Sequence, residues 1–147
     1  MPTQNREKIN VVSVVKLAID IFNEDFINYK TTEKELFANL DKTQLIRVVT
    51  NLVKNALQAV EGEENPVIDV TVLSEKNNIK IIVSDNGKGI PEDVKDLIFE
   101  PKFTTKTSGM GLGLGMIKNI IEAYEGRISF TSKEGIGTIF TVILPKE

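Results

Sequence analysis

Two asparagines, Asn51 and Asn55, stand four residues apart in Asn51-Leu-Val-Lys-Asn55-Ala. On a helix that spacing puts both carboxamides on one face. A carboxamide oxygen is a neutral, hard ligand, suited to a Mg²⁺ ion whose charge phosphates already offset. Two solvated asparagines would read the same way. Asparagine is a mediocre helix former, however, and two in mid-helix call for a reason. Further on comes Asp85-Asn-Gly87-Lys-Gly89-Ile-Pro. Asp-Asn-Gly is a good turn signal in its own right. As chemistry, an aspartate at a strand end can accept a hydrogen bond from the exocyclic amino group of adenine. Guanine presents a carbonyl there, which the carboxylate would repel, so one residue would select ATP over GTP. The flanking glycines let backbone approach a base closely.

A third run, Gly109-Met-Gly111-Leu-Gly113-Leu-Gly115, opens a helical pattern. Amides of a glycine-rich turn, joined to a helix N-terminus, form an anion cradle. A flexible loop followed by helix packing is the plainer alternative. The run is not a Walker A loop, because no Gly-Lys-Ser/Thr ends it. No strand leads directly into it, as a dinucleotide fingerprint requires. Between the second and third motifs lies Ile98-Phe99-Glu-Pro101-Lys-Phe103-Thr104-Thr105-Lys106. Phe99 and Phe103 could anchor a loop to the core, and Lys106 could meet phosphate, whereas Lys102 reads better as solvated. Gly135-Ile-Gly137-Thr138 is an ordinary hairpin turn whose threonine hydroxyl could sit beside Asp85.

These residues need elements to hold them. Val11, Val14, Val15, Ala18, Ile21 and Phe22 recur at helical spacing over 9–22. Short strand candidates follow at 26–30 and 35–40. The clearest helix is Asp41–Val60, with Asp41 as cap and Gln44 completing a capping-box variant. Leu45, Val48, Val49, Leu52, Val53 and Ala56 make its apolar face. Gln44, Arg47, Asn51, Asn55 and Gln58 make a polar stripe beside it. Gly62 to Pro66 breaks the pattern. Strands are expected at 67–73 and 79–84, with Lys76-Asn77-Asn78 as the turn. An irregular stretch over 85–111, a helix at 112–124 and strands at 127–132 and 138–144 complete the chain. This order fits an α+β sandwich, with helices on one face of a mixed sheet. Nine of the ten glycines lie between Gly87 and Gly137, so they gather around the one long irregular stretch, where function usually resides.

Composition narrows the classes. A 147-residue chain favours one domain. With 41% apolar and 27% charged residues, it should bury an ordinary core. No apolar run approaches a membrane span, and no apolar segment follows the first charges as a signal peptide requires. There is no cysteine, hence no disulfide, which suits a cytoplasmic protein. A net charge of −3 leaves no basic footprint for nucleic acid. There is also no histidine. Imidazole bases, histidine metal ligands and histidine phosphoacceptors are therefore excluded within this sequence.

In this order and spacing, the motifs resemble the catalytic and ATP-binding domain of bacterial sensor histidine kinases. The wider GHKL (Bergerat-fold) family includes DNA gyrase, a major heat-shock chaperone and the MutL repair proteins. Asn51 and Asn55 fall on the family's N box. Asp85, Gly87 and Gly89 fall on its first glycine box, and Phe99 and Phe103 on its F box. Gly109, Gly111 and Gly113 fall on the second glycine box, and Gly137 with Thr138 on the last. The Pro101–Lys106 segment looks most like the nitrogen-regulation (NtrB/NtrY-like) branch. The resemblance covers nearly the whole sequence. It implies a two-layer α/β sandwich, about three helices on one face of a mostly antiparallel sheet, binding Mg-ATP beneath a mobile ATP lid. It implies that Asp85 and Thr138 hold adenine and that Asn55 holds Mg²⁺. Asn51, Gly87, Gly89, Phe99 and Thr105 would touch the nucleotide, as would Gly109, Gly111, Leu112 and Gly113. Asn51 and Lys106 would act in transfer.

Relatives that hydrolyse ATP carry a glutamate where this sequence has Asn51, and a carboxamide cannot take a proton. Poor hydrolysis is expected. The anti-sigma-factor serine kinases of the family also have that glutamate, so they are the alternative reading, together with a non-catalytic nucleotide-binding module. The expected reaction is transfer of the γ-phosphoryl to a histidine on a separate dimerisation domain, and onward to a response regulator. Residues 1–8 would be a connector remnant and 9–147 the ATP-binding catalytic domain. The chain would be an excised piece or a subunit acting in trans. A cytoplasmic place is expected, whether or not a parent protein is membrane-anchored.

Overall fold

The computed structural model describes residues 5–100 and 113–147. Strand β1 (Arg6–Asn10) runs straight into helix α1 (Val11–Ile19), and strands β2 (Ile27–Thr31) and β3 (Phe37–Asp41) lead to helix α2 (Lys42–Ala59). The hairpin β4 (Ile68–Glu75) and β5 (Asn78–Asp85) follows, then a 3-10 turn over Glu92–Leu97. Helix α3 (Leu114–Ala123) and the hairpin β6 (Arg127–Lys133) and β7 (Gly137–Pro145) close the fold. The main sheet has the order β2-β4-β5-β7-β6; β2 pairs with β4 in parallel and every other pair is antiparallel. The α+β sandwich expected from the sequence is the architecture found.

Alternation along the strands decides which face is covered. Val70, Val72, Ile79, Ile81, Val83, Phe140, Val142 and Leu144 are buried, while the residues between them are partly or fully exposed. Successive side chains point to opposite faces, so one face meets the helices. Helix α2 supplies Leu45, Val48, Val49, Leu52, Val53 and Ala56 to that core, and α3 adds Ile117 and Ile121. All six apolar positions expected on α2 are buried.

The start of α2 is held more tightly than a simple cap. Asp41 Oδ1 accepts from Thr43 N–H at 2.9 Å and from Gln44 N–H at 3.3 Å. The expected return contact from Gln44 to the Asp41 N–H is bridged by Tyr124. That N–H donates to the Tyr124 hydroxyl at 3.1 Å, and the hydroxyl donates to Gln44 Oε1. The end of α3 is thereby tied to the start of α2. The Asn5 N–H, then those of Gln44 and Thr43, hold the Asp41 carboxyl below its ordinary range.

Three expectations are corrected. Arg6–Asn10 forms a strand, pairing antiparallel with β3 in a separate two-stranded sheet, so the first helix begins at Val11 rather than at residue 9. It also ends at Ile19: Ile21 is 65% exposed rather than on the apolar face, although Phe22 still packs against the core. The stretch after Asp85 is not wholly irregular, because it contains the 3-10 turn. Among the described residues, no helix is long and apolar enough to cross a membrane.

Candidate nucleotide site

Asp85 is the last residue of β5, opposite Thr138 near the start of β7. Its carboxylate is half-buried. Oδ1 accepts from Gly87 N–H at 2.8 Å, and the Thr138 N–H also donates to the carboxylate. Burial outweighs both bonds and pushes the carboxyl up to about 6. A charge held this way is costly to the fold and gains from an added donor. Thr138 beside it is almost wholly buried. It is the Thr138 backbone N–H that meets Asp85, while the hydroxyl expected there lies 2.8 Å from Ser132 Oγ.

The glycines of the first box serve a purpose the sequence reading did not give them. A Cβ on Gly87 would lie 2.3 Å from the carbonyl oxygen of Ala59, at the end of α2. The next residue, Lys88, donates its N–H to that same carbonyl at 3.0 Å. On Gly137, a Cβ would lie 2.1 Å from the Asp85 carbonyl. The space left by these absent side chains is filled by protein backbone. The glycines clip the loop after β5 onto the end of α2 and onto β7. Asn86 braces the same loop, accepting from Val67 N–H and donating to Asn65 O, both at 2.8 Å.

That clip brings α2 to the same rim. Asn55, one turn before Ala59, is 5% exposed, and its carboxamide Nδ2 has no hydrogen-bond partner among the described residues. Gln58 Oε1, on the same polar stripe, is likewise buried and unpartnered. A buried polar group left unpaired costs about 1–3 kcal/mol, so the pair fits a polar ligand that supplies what is missing. Rotating a carboxamide exchanges its oxygen and nitrogen ends, so Asn55 can offer oxygen to a cation or N–H to a phosphate. Among the described residues, no cluster of acidic side chains is placed to hold a metal. A metal here would draw most of its ligands from phosphates and water, as Mg²⁺ commonly does.

Asn51 lies one turn earlier and donates its Nδ2 to the Arg47 carbonyl at 3.0 Å. Its carboxamide faces Gly113, whose Cβ direction passes 3.5 Å from Asn51 Oδ1. Gly113 has φ of +79° and begins α3 with no side-chain cap. The first return bond of that helix runs from Ile117 N–H to Gly113 O at 2.9 Å. The N–H groups at the start of α3 thus lack an intrahelical acceptor and point out of the helix end, where anions bind.

Phe99 is packed among aromatic side chains. Its ring packs edge-on against Phe130 and Phe140, with centroids 5.8 and 6.5 Å away. It anchors the chain ahead of residue 101 to the core. Gly89 has φ of +77° and abuts the Lys133 backbone. Phe103, Thr105, Lys106, Gly109, Gly111 and Leu112, and with them the expected lid, lie outside the described residues.

The model of the histidine kinase-, DNA gyrase B-, and HSP90-like ATPases matches residues 40–147. The chain belongs to this ATPase family. Sensor histidine kinase ZraS of Escherichia coli strain K12 is 46% identical over 105 residues, covering 71% of this chain and 22% of that protein. A putative sensor histidine kinase, NtrY-like, of Rickettsia conorii is 31% identical over 146 residues, covering 97% and 24%. The chain therefore spans about a quarter of the length of these relatives. The nucleotide-free catalytic domain of histidine kinase ThkA superposes with a TM-score of 0.85 at 32% identity, covering 97% of this chain and 96% of that one. ThkA solved in complex with response regulator TrrA matches with a TM-score of 0.79 at 26% identity, covering 98% and 42%. This ATPase-family domain thus has the sandwich of a histidine-kinase catalytic domain.

Sequence reasoning did not single out two contributors to the rim. Ser132 links the loop after β5 to β7, but a lone serine in a strand carries no spacing signal. Gln58 was visible only as one member of the polar stripe, and its buried oxygen marks it out.

Proposed function

We propose that this domain binds Mg-ATP and passes its γ-phosphoryl to a histidine on a separate dimerisation domain, as the catalytic part of a two-component sensor histidine kinase. A response regulator would then receive the phosphoryl group. Asp85, with Thr138, would take the adenine edge. Asn55 would hold Mg²⁺ against the phosphates, and the amides opening α3 after Gly113 would meet the phosphate chain. Lys106, Thr105, Gly109, Gly111 and Leu112 would complete the phosphate side. Mg²⁺ would offset charge on the phosphate oxygens. Positioning and electrostatics then supply most of the catalysis, as is usual in phosphoryl transfer.

The observation that carries this reading is Asn51 facing Gly113 at the head of α3. A carboxamide there can orient a phosphate or a water but cannot deprotonate a hydroxyl. A histidine acceptor is itself nucleophilic and needs less from the donor domain, whereas serine or water needs a base. The serine-kinase reading is therefore disfavoured, as is the plain ATPase.

The test is incubation with Mg-ATP and a histidine-containing dimerisation domain from a kinase of this type. Acid-labile, base-stable phosphate on that partner is the expected result. Acid-stable phosphoserine on an anti-anti-sigma partner would contradict the proposal, as would rapid phosphate release with no partner present.

A further inference from the structure

The helices cover one face of the main sheet; the other is open. Alternation along the strands decides what the open face presents. From β7 it shows Ile139, Thr141 and Ile143, and from β6 Arg127, Ser129, Thr131 and Lys133. Ile82 and Lys80 of β5 stand beside Thr141 and Ile143. The middle of this face is uncharged, and Ile139 is 42% exposed in it. Protein interfaces have this anatomy, an apolar or neutral centre with charge at the rim.

The rim charge is positive and sits at both ends. Arg127 and Lys133, the two ends of β6, are exposed, and neither has an ion-pair partner among the described residues. The carboxylates on this face, Asp69 and Glu75, are already held by Lys30 and Lys80. A depression of about 330 Å³ lies beside Lys133, Ile136 and Ile139. A second, of about 210 Å³, lies beside Lys76, Lys80, Arg127 and Ile143. The open face therefore carries surplus cations on a chain whose net charge is −3.

That charge selects the occupant. A second copy laid face to face would set cations against cations. Residues 101–112 contain Lys102 and Lys106 and no carboxylate, so they do not complement the face either. A sheet edge recruits a strand through its backbone, whereas a sheet face offers only side chains and is covered by a helix. Arg127 and Lys133 lie roughly 20 Å apart along β6. A helix of about 13 residues spans that distance. We propose that the open sheet face docks an amphipathic helix of a partner protein, whose acidic ends meet Lys133 and Arg127 and whose apolar middle lies over Ile139 and Ile143. Alternation turns Asp85 to the helix side of the sheet with Val83, so this docking and nucleotide binding use opposite faces.

The test is calorimetric titration of the whole chain, at low salt, with two synthetic helices of about 14 residues. Both have a leucine and alanine middle; one has paired glutamates at each end, the other paired lysines. The glutamate helix is expected to bind at least about tenfold more tightly. Arg127→Glu combined with Lys133→Glu should reverse that preference, with the urea midpoint unchanged because both side chains are exposed. Ile139→Asn should weaken the glutamate helix by about fivefold. Saturating Mg-ATP should leave its affinity within about twofold. Amide shifts of the native chain give a reading that needs no variant, and they should move along 127–133 and 139–143. No binding, equal affinity for the two helices, displacement by ATP, or shifts confined to the helical face would each overturn the proposal. Displacement would place the peptide in the nucleotide cleft and leave the ATP reading standing.

Discussion

Replacing Asp85 with asparagine should move affinity and stability in different directions. The carboxylate is the charged acceptor offered to adenine, and an amide is a weaker one. Hydrogen bonds to charged groups contribute about 1.5–3 kcal/mol, so ATP affinity should fall roughly 10–150-fold. For the fold the sign differs. Burial raises this carboxyl from 3.8 to about 6, so the neutral form is the one the fold favours. Its contribution is fully present below pH 3.8 and is lost as the pH rises through about 6. A rise of that size corresponds to roughly 3 kcal/mol against the ion at neutral pH, or about 1–2 kcal/mol once partial solvation is discounted. The asparagine variant escapes that cost, but its single carbonyl must serve the N–H groups of both Gly87 and Thr138. Losing one such bond costs about 1 kcal/mol. Stability at pH 7.5 should therefore stay level or rise by up to about 1 kcal/mol, read from urea unfolding. Binding of ATP to the native chain should weaken as the pH falls through about 6, while the variant stays flat. Unchanged ATP affinity would refute the adenine assignment. A parallel loss of stability and affinity would mean that Asp85 only braces its neighbours.

Other outcomes follow from the same geometry. Asn55→Ala should remove the tightening of ATP by Mg²⁺ in calorimetry while leaving metal-free binding within about threefold; surviving metal dependence would misplace the metal. Asn51→Glu puts a carboxylate where Asn51 faces Gly113, and partner-independent phosphate release should rise by at least about 100-fold. No rise in a steady-state phosphate assay would show that the missing base is not what limits hydrolysis. Gly87→Ala drives a methyl against the Ala59 carbonyl at 2.3 Å. It should cost about 1–3 kcal/mol in urea unfolding, whether or not nucleotide is present at sub-saturating levels.

What was legible in the sequence depended on periodicity and caps. Helix α2 was readable because its apolar and polar stripes both keep helical spacing and because Asp41 caps it, as found. The strands that alternate, β4, β5 and β7, were readable for the same reason. Strand β1 was not: Arg6-Glu-Lys-Ile-Asn has one apolar residue, and its pairing with β3 is a long-range choice no local pattern reports. Ile21 fitted the helical period, yet the helix ends two residues earlier and leaves it in solvent. Asp85, Asn55 and Thr138 stood out as candidates because their side-chain chemistry and motif positions are distinctive. The reason for Gly87 was not, because the clash with Ala59 depends on how the loop docks on α2. Tyr124 completing the cap of α2 was equally hidden, since it follows α3 and meets Asp41, at the end of β3, from 83 residues along the chain.

The central claim is an adenine-selective, magnesium-assisted nucleotide site around Asp85 and Asn55. Titrating the chain with ATP and GTP, each with and without Mg²⁺, tests it most directly. ATP should bind, Mg²⁺ should tighten it, and GTP should bind at least about tenfold more weakly. Equal affinity for the two nucleotides, or no binding of either, would contradict it.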